Sequence, residues 1–152
     1  MKLTGRRELP VPPQQAWDGL QKPAVLQACL PGCETFDLTN ENTYSAAIIL
    51  VVGPLKAVFK GSVTLTDLEP PIRYRITGQG TSGVAGFAKL STSVQLSRSE
   101  TGSVLDYDAD VQIGGKLAAV GNRLFESASR KNIDSFFDTF VAHVRSADRE
   151  PV

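Results

Sequence analysis

Histidine, cysteine and net charge are what this chain has least of. His143 is the single histidine, Cys29 and Cys33 are the two cysteines, and sixteen lysines and arginines balance sixteen acids over 152 residues. With its histidine far from both cysteines, the chain can assemble neither a zinc site nor a disulfide framework, and the two thiols are expected to stay reduced. Their C-x3-C spacing is not that of a redox pair. Zero net charge leaves no overall field to draw the chain to nucleic acid. No apolar run approaches the roughly 18 residues of a membrane span. The opening MKLTGRRELPVPP has no run of signal-peptide length, which predicts a cytoplasmic protein.

Catalytic constellations are equally scarce. His143 falls on the apolar side of a helical pattern with Phe136, Phe140 and Val144, packed or partly exposed, and no partner makes it a general base. Asp106, Asp108 and Asp110 alternate onto one strand face, where side chains two apart diverge instead of converging on a cation. Pairing with arginines of a neighbouring strand, such as Arg73 and Arg75, is conceivable. GTSGVAG (80–86) lacks the GK[ST] ending of a phosphate loop and opens a strand, not a helix. No catalytic residue, metal or cofactor is expected.

What the chain does have is periodicity. From 116 to about 145 apolar residues recur at helical spacing (Leu117, Val120, Leu124, Ala128, Ile133, Phe136, Phe137, Phe140, Val141, Val144), interrupted only by Gly121. A single amphipathic helix of that length would run roughly 45 Å, across a whole small domain. Before it come strands. Residues 2–9 alternate, with Leu3, Gly5 and Leu9 on one face; Pro12-Pro13 and Lys22-Pro23 bracket two short helices around Trp17, Leu20, Val25, Leu26 and Cys29. Six further strands follow at 33–38, 44–52, 55–68, 72–80, 87–97 and 104–113, separated by glycine, proline and asparagine turns. Leu105, Tyr107, Ala109, Val111 and Ile113 face one way and the aspartates the other, so one sheet face is dry and one wet. One α+β domain over 1–146 is expected, with a frayed tail at 147–152.

Parity then sorts the loops. In a meander, successive hairpins alternate between the two ends of the sheet, so Gly53-Pro54, the 81–86 loop and Gly114-Gly115 share one end. That end gathers Val51, Val52, Leu55, Val84 and Phe87 beside Ala118, Ala119 and Gly121, and is read as a mouth. Lys116, Arg123 and Arg130, seven apart, fall on nearly one helical face; Lys56 and Lys60 flank the apolar tip 51–55. A solvated helix face accounts for such a series; so does docking to lipid phosphates or an acidic partner.

Four strings in this order, PGCE (31–34), VGPLKAVFKG (52–61), GTSGVAGFAKL (80–90) and IGGKLAAVGNRL (113–124), resemble those of the CoxG-like family, the G subunits of carbon monoxide dehydrogenase. That family sits within the START/Bet v 1-like (SRPBCC) superfamily of helix-grip folds, and the resemblance spans 1–145. It implies a seven-stranded antiparallel sheet wrapped around a long C-terminal helix, with two short helices between strands 1 and 2. It also implies a non-catalytic accessory protein of a carbon monoxide dehydrogenase-type molybdenum hydroxylase, carrying membrane quinone or lipid as cargo and meeting the inner face of the cell membrane peripherally.

The inward strand faces mix large residues (Phe59, Val63, Leu65, Tyr74, Leu90, Val94, Tyr107) with small ones (Gly61, Gly80, Ala88, Ala109). A core packed at ordinary density accommodates such a mixture, and so does a cavity, which is what the resemblance implies. Under the cavity reading the ligand-binding candidates are Trp17, Phe59, Tyr74, Phe87, Tyr107, Leu117 and Leu124, with the Tyr74 and Tyr107 hydroxyls facing a carbonyl-bearing headgroup. The portal or docking candidates are Val52, Leu55, Lys56, Val84, Lys116, Arg123 and Arg130. Two alternatives stay open: a cyclase or aromatase-like enzyme of the same fold, and an assembly factor with a filled core that binds protein alone.

Overall fold

The computed structural model describes the main chain of residues 1–149 and their side chains, except those of Val84 and 146–149. Seven strands form one antiparallel sheet: β1 (Lys2–Leu9), β2 (Cys33–Asn40), β3 (Thr43–Val52), β4 (Leu55–Glu69), β5 (Arg73–Thr81), β6 (Phe87–Ser99) and β7 (Gly102–Gly114). Their order is β1-β7-β6-β5-β4-β3-β2, so the first two strands are the two edges and the rest is a continuous meander. Helices α1 (Pro13–Leu20) and α2 (Pro23–Cys29) bridge those edges, each entered through a proline whose missing N–H belongs to the unpaired first turn. The sheet, the two short helices and the long C-terminal helix are the architecture expected above.

The C-terminal helix differs in one respect from the continuous helix expected over 116–145. It is divided into a single turn, α3 (Lys116–Ala119), and a long α4 (Asn122–Arg149). Gly121 stands between them at φ +96, a backbone conformation closed to a helix and open mainly to glycine. The expected row of Lys116, Arg123 and Arg130 on one helical face is therefore not a row, because Lys116 belongs to a different helix. Of the residues expected as a frayed tail, 147–149 continue α4 and 150–152 lie outside the described residues.

The strand register confirms the sorting of loops. Val52 pairs with Leu55 at one hairpin, Thr81 with Phe87 at the next, and Phe87 with Gly114 where the chain leaves for α3. These three turns lie at one end. The other end is closed by α1 and its approach: the buried Ser103 hydroxyl donates to the Val11 carbonyl at 2.8 Å, tying β7 to the segment before α1.

The outer sheet face carries charge, in pairs other than those expected. Asp106 accepts from Arg6 at 2.8 Å, and Asp108 and Asp110 face Lys2, so the aspartate row pairs with β1. Arg73 and Arg75 turn instead to Glu69 and Asp67. The two rows are separated because β6 lies between β5 and β7.

Candidate ligand-binding site

On the inner face of the sheet the buried apolar residues fall into two clusters instead of one. At the closed end Trp17, Leu20, Phe36, Tyr44, Tyr74, Val94, Leu96 and Leu105 pack with Phe137, Phe140 and Val144 of α4. Aromatic geometry orders this end: Trp17 meets Tyr74 edge-on at 5.1 Å, and Phe36 stacks on Tyr44 at 4.9 Å. At the mouth end Leu3, Val52, Phe59, Ala85, Ala109 and Val111 surround Leu117 and Phe125. Leu117 is fully buried, which makes it the plug around which the α3 turn closes.

Between the clusters the inner face of the sheet is incompletely covered. Leu90 shares a face with the buried Val94 and Leu96, and pairs across β7 with the buried Val111, yet it is 39 % exposed. Ile48, Gly78 and Thr92, on the same inner face, are only partly buried. A side chain aimed into a packed interior would be covered, since such interiors have few voids larger than a water. The reason for the gap is in the residue sizes: Gly61, Gly78, Gly80 and Ala46 leave the middle of the sheet without bulk, and the main chain of α4 comes nearest the sheet at β1 and β3, to either side of it. The inner face at Leu90 is left uncovered as a result.

Polar groups on that face are few. Burial, with a smaller contribution from Tyr44, drives the Tyr74 phenol well above its usual range, and burial raises Tyr44 too. Both are neutral donors at any physiological pH. Cys29 is buried at the end of α2 and its thiol is pushed up to about 11 by desolvation, so it is an inert thiol, not a nucleophile. Cys33 is raised for the same first reason. His143 is exposed, without a triad partner among the described residues. Among them, too, no three His, Cys, Asp or Glu side chains gather as a metal site.

The sequence-derived candidates separate on this frame. Trp17 and Tyr74 come together at the closed end, and Phe59 and Leu117 at the mouth end. Tyr107 stacks at 6.4 Å on Phe137 and covers Gly5, where any side chain would strike its ring. Phe87 is not on the inner face. It shares the outer face with Lys89, whose ammonium sits 5.8 Å from its ring centre, because inner and outer positions alternate and Ala88 and Leu90 take the inner ones. Leu124 is 45 % exposed at the rim, against Gly53 of the β3–β4 hairpin.

Among the portal candidates Val52 is buried, Leu55 half-buried, and Lys56, Lys116 and Arg123 exposed. Arg130 is engaged, bonding Glu126 and the Thr4 carbonyl at 3.3 Å each, so it fastens α4 to β1 and is not a free docking charge. Arg7 does the same lower down, with Asp138 and over the Phe137 ring at 5.8 Å. The side chain of Val84 lies outside the described residues. Reasoning from sequence missed Tyr44, Ile48 and Thr92 as inner-face residues; the alternation of Tyr44, Ala46, Ile48, Leu50 and Val52 in β3 was the signal that could have found the first two.

The profile of CoxG, the G subunit of carbon monoxide dehydrogenase, matches residues 5–145. The chain belongs to the CoxG family. Among solved structures it is similar to a conserved protein of Geobacillus kaustophilus (25 % identity, TM-score 0.91, 97 % of each chain covered). It is also similar in fold to TTHA0849 of Thermus thermophilus (13 %, TM-score 0.73, 97 % and 99 %) and to Ara h 8.0201, a Bet v 1-like protein (14 %, TM-score 0.69, 96 % and 98 %). Among curated proteins none matches the sequence. Membership of the CoxG family and the Bet v 1-like architecture agree with the gap described above: this is a hydrophobic-ligand-binding fold. No helix among the described residues is long and apolar enough to cross a membrane.

Proposed function

We propose that this CoxG-family protein is a non-catalytic carrier that takes an isoprenoid quinone or lipid into the gap between its two core clusters, as an accessory to a carbon monoxide dehydrogenase-type molybdenum hydroxylase. The observation that carries the reading is the exposed inward-facing Leu90, opposite Gly78 in β5, in an otherwise apolar interior. An apolar ring or tail would recover there the burial that the sheet and α4 do not give each other, at roughly 25 cal/mol for every Å² covered. Tyr74 and Tyr44, neutral phenols at the closed end, would donate to a headgroup carbonyl, while Trp17 and Phe59 would flank the ring; Leu117 and Leu124 would stand at the mouth. Entry would pass Val52 and Leu55, with Lys56, Lys116 and Arg123 turned toward an anionic surface or partner at the inner face of the cell membrane.

Native mass spectrometry with organic extraction, on protein purified without detergent, tests this directly. A co-purifying quinone or lipid near unit occupancy is the expected result. An apo mass that persists after incubation with native membranes would overturn the carrier reading.

A further inference from the structure

On the outer face of the sheet, near the mouth, two adjoining rows of the register enclose a shallow hollow of about 240 Å³. Lys60, Thr81 and Phe87 form one row across β4, β5 and β6; Ser62, Gln79 and Lys89 form the next. The two lysines thus stand at diagonal corners, with two hydroxyls and a carboxamide between them. No acidic residue lines the hollow, and among the described residues neither lysine makes an ion pair. Elsewhere on the same face Lys2, Arg6, Arg73 and Arg75 are all paired with carboxylates. Two ammonium groups held over neutral donors, without a counter-charge of their own, are stabilised by an anion between them. One flank of the site is apolar: Phe87 and Val58 are each 38 % exposed and Val51 is 53 % exposed, all on this outer face.

We propose that this hollow holds the phosphate of an anionic phospholipid, its acyl region lying toward Phe87, Val58 and Val51, so that the outer face of β4–β6 rests against an anionic lipid surface beside the mouth. The hydroxyls of Ser62 and Thr81 and the Gln79 carboxamide donate to phosphate oxygens, and the lysines supply the charge. The proposal deepens the carrier reading by naming the surface on which the mouth would open, and it is tested without cargo.

The full chain is sedimented with phosphatidylcholine vesicles, with and without phosphatidylglycerol, and titrated separately with inorganic phosphate. Partition is expected only with phosphatidylglycerol. The Lys60→Gln/Lys89→Gln pair, both exposed and unpaired, should lower it about 25-fold, roughly fivefold for each lysine near the surface. The Arg73→Gln/Arg75→Gln pair should stay within about twofold, because those charges are already neutralised by Glu69 and Asp67. Equal loss in the two pairs, no partition of the wild type, or saturation by inorganic phosphate without partition would each overturn the proposal. A Lys60→Gln/Lys89→Gln protein that keeps its quinone and its vesicle binding sinks the lipid site and leaves the carrier standing; vesicle binding that depends on the lysines in a protein without cargo does the reverse.

Discussion

The two ends of this molecule are built to different rules. At the closed end aromatic rings meet edge-on or stacked, α1 and α2 cap the sheet, and Ser103 finds its hydrogen bond in full burial. Along β1 Lys2, Arg6 and Arg7 are paired with carboxylates, and Arg7 and Arg130 clasp α4 to the first strand. Around the mouth Lys56, Lys60, Lys89, Lys116 and Arg123 make no ion pair among the described residues, and Val51, Phe87 and Leu124 stand in solvent. The helix is continuous over the first end and broken at Gly121 beside the second. One end is organised for stability and the other is left incomplete, which is how a fold keeps an opening without losing its core.

The sharpest way to break that contrast is to delete a large apolar side chain from each end. Phe140, fully buried against Gly19 and the closed-end cluster, should cost about 3–5 kcal/mol as Phe140→Ala. Leu124→Ala, at the rim, should stay within about 0.5 kcal/mol. Urea titrations of both variants check this, and similar losses would mean the mouth is as tightly packed as the closed end. Next in size is Gly121→Ala. Nothing crowds the position, so its cost is backbone alone, about 1–2 kcal/mol for a residue forced to positive φ. A variant that gains stability and helical circular dichroism would show that α3 and α4 prefer to join, and that the glycine is retained for an open mouth.

Alkaline pH separates the ends more gently. Cys29 has its pKa raised by burial to about 11, above the 9.0 of a free thiol, so the folded state favours the neutral form. Its contribution to stability is complete below pH 9 and is lost as pH rises toward 11. Tyr74 adds a loss in the same direction at still higher pH. Urea midpoints taken across this window should fall for the wild type and fall less for Cys29→Ala; equal slopes would mean that the thiol is hydrated.

Much of this was legible in the sequence, for physical reasons that also mark where legibility ends. Strand alternation in β7 and β1 assigned inner and outer residues correctly, and hairpin parity alone gathered Gly53, Gly86 and Gly115 at one end. Phe87 was grouped with the inward residues for its bulk, against the alternation of its own strand, which puts Ala88, Leu90 and Val94 inside and Phe87 outside. The aspartate row found its partners on β1, a hundred residues away, and no local pattern announces which edge closes onto β7. Gly121 read as a tolerated glycine within a helix, since periodicity on both sides of it was helical. The uncovered inner face could not be read from composition, because small inward residues serve a tight core as well as an open one; the exposure of Leu90 is its structural sign.

The smallest expected change in stability is therefore the most informative. Leu90→Trp adds a large side chain at the inner-face position between the two clusters. In a packed interior such enlargement costs about 1–3 kcal/mol, because neighbours must leave their rotamers. In the gap the indole covers apolar surface that is bare in the wild type, offsetting any strain, and the stability from urea titration should move by less than about 0.5 kcal/mol in either direction. The same variant should no longer be stabilised by quinone analogues in a thermal-shift assay, since the ring occupies their space. A stable Leu90→Trp protein that still responds to the analogues would put the ligand elsewhere, while a strongly destabilised one would make the interior a core and the two clusters parts of one body.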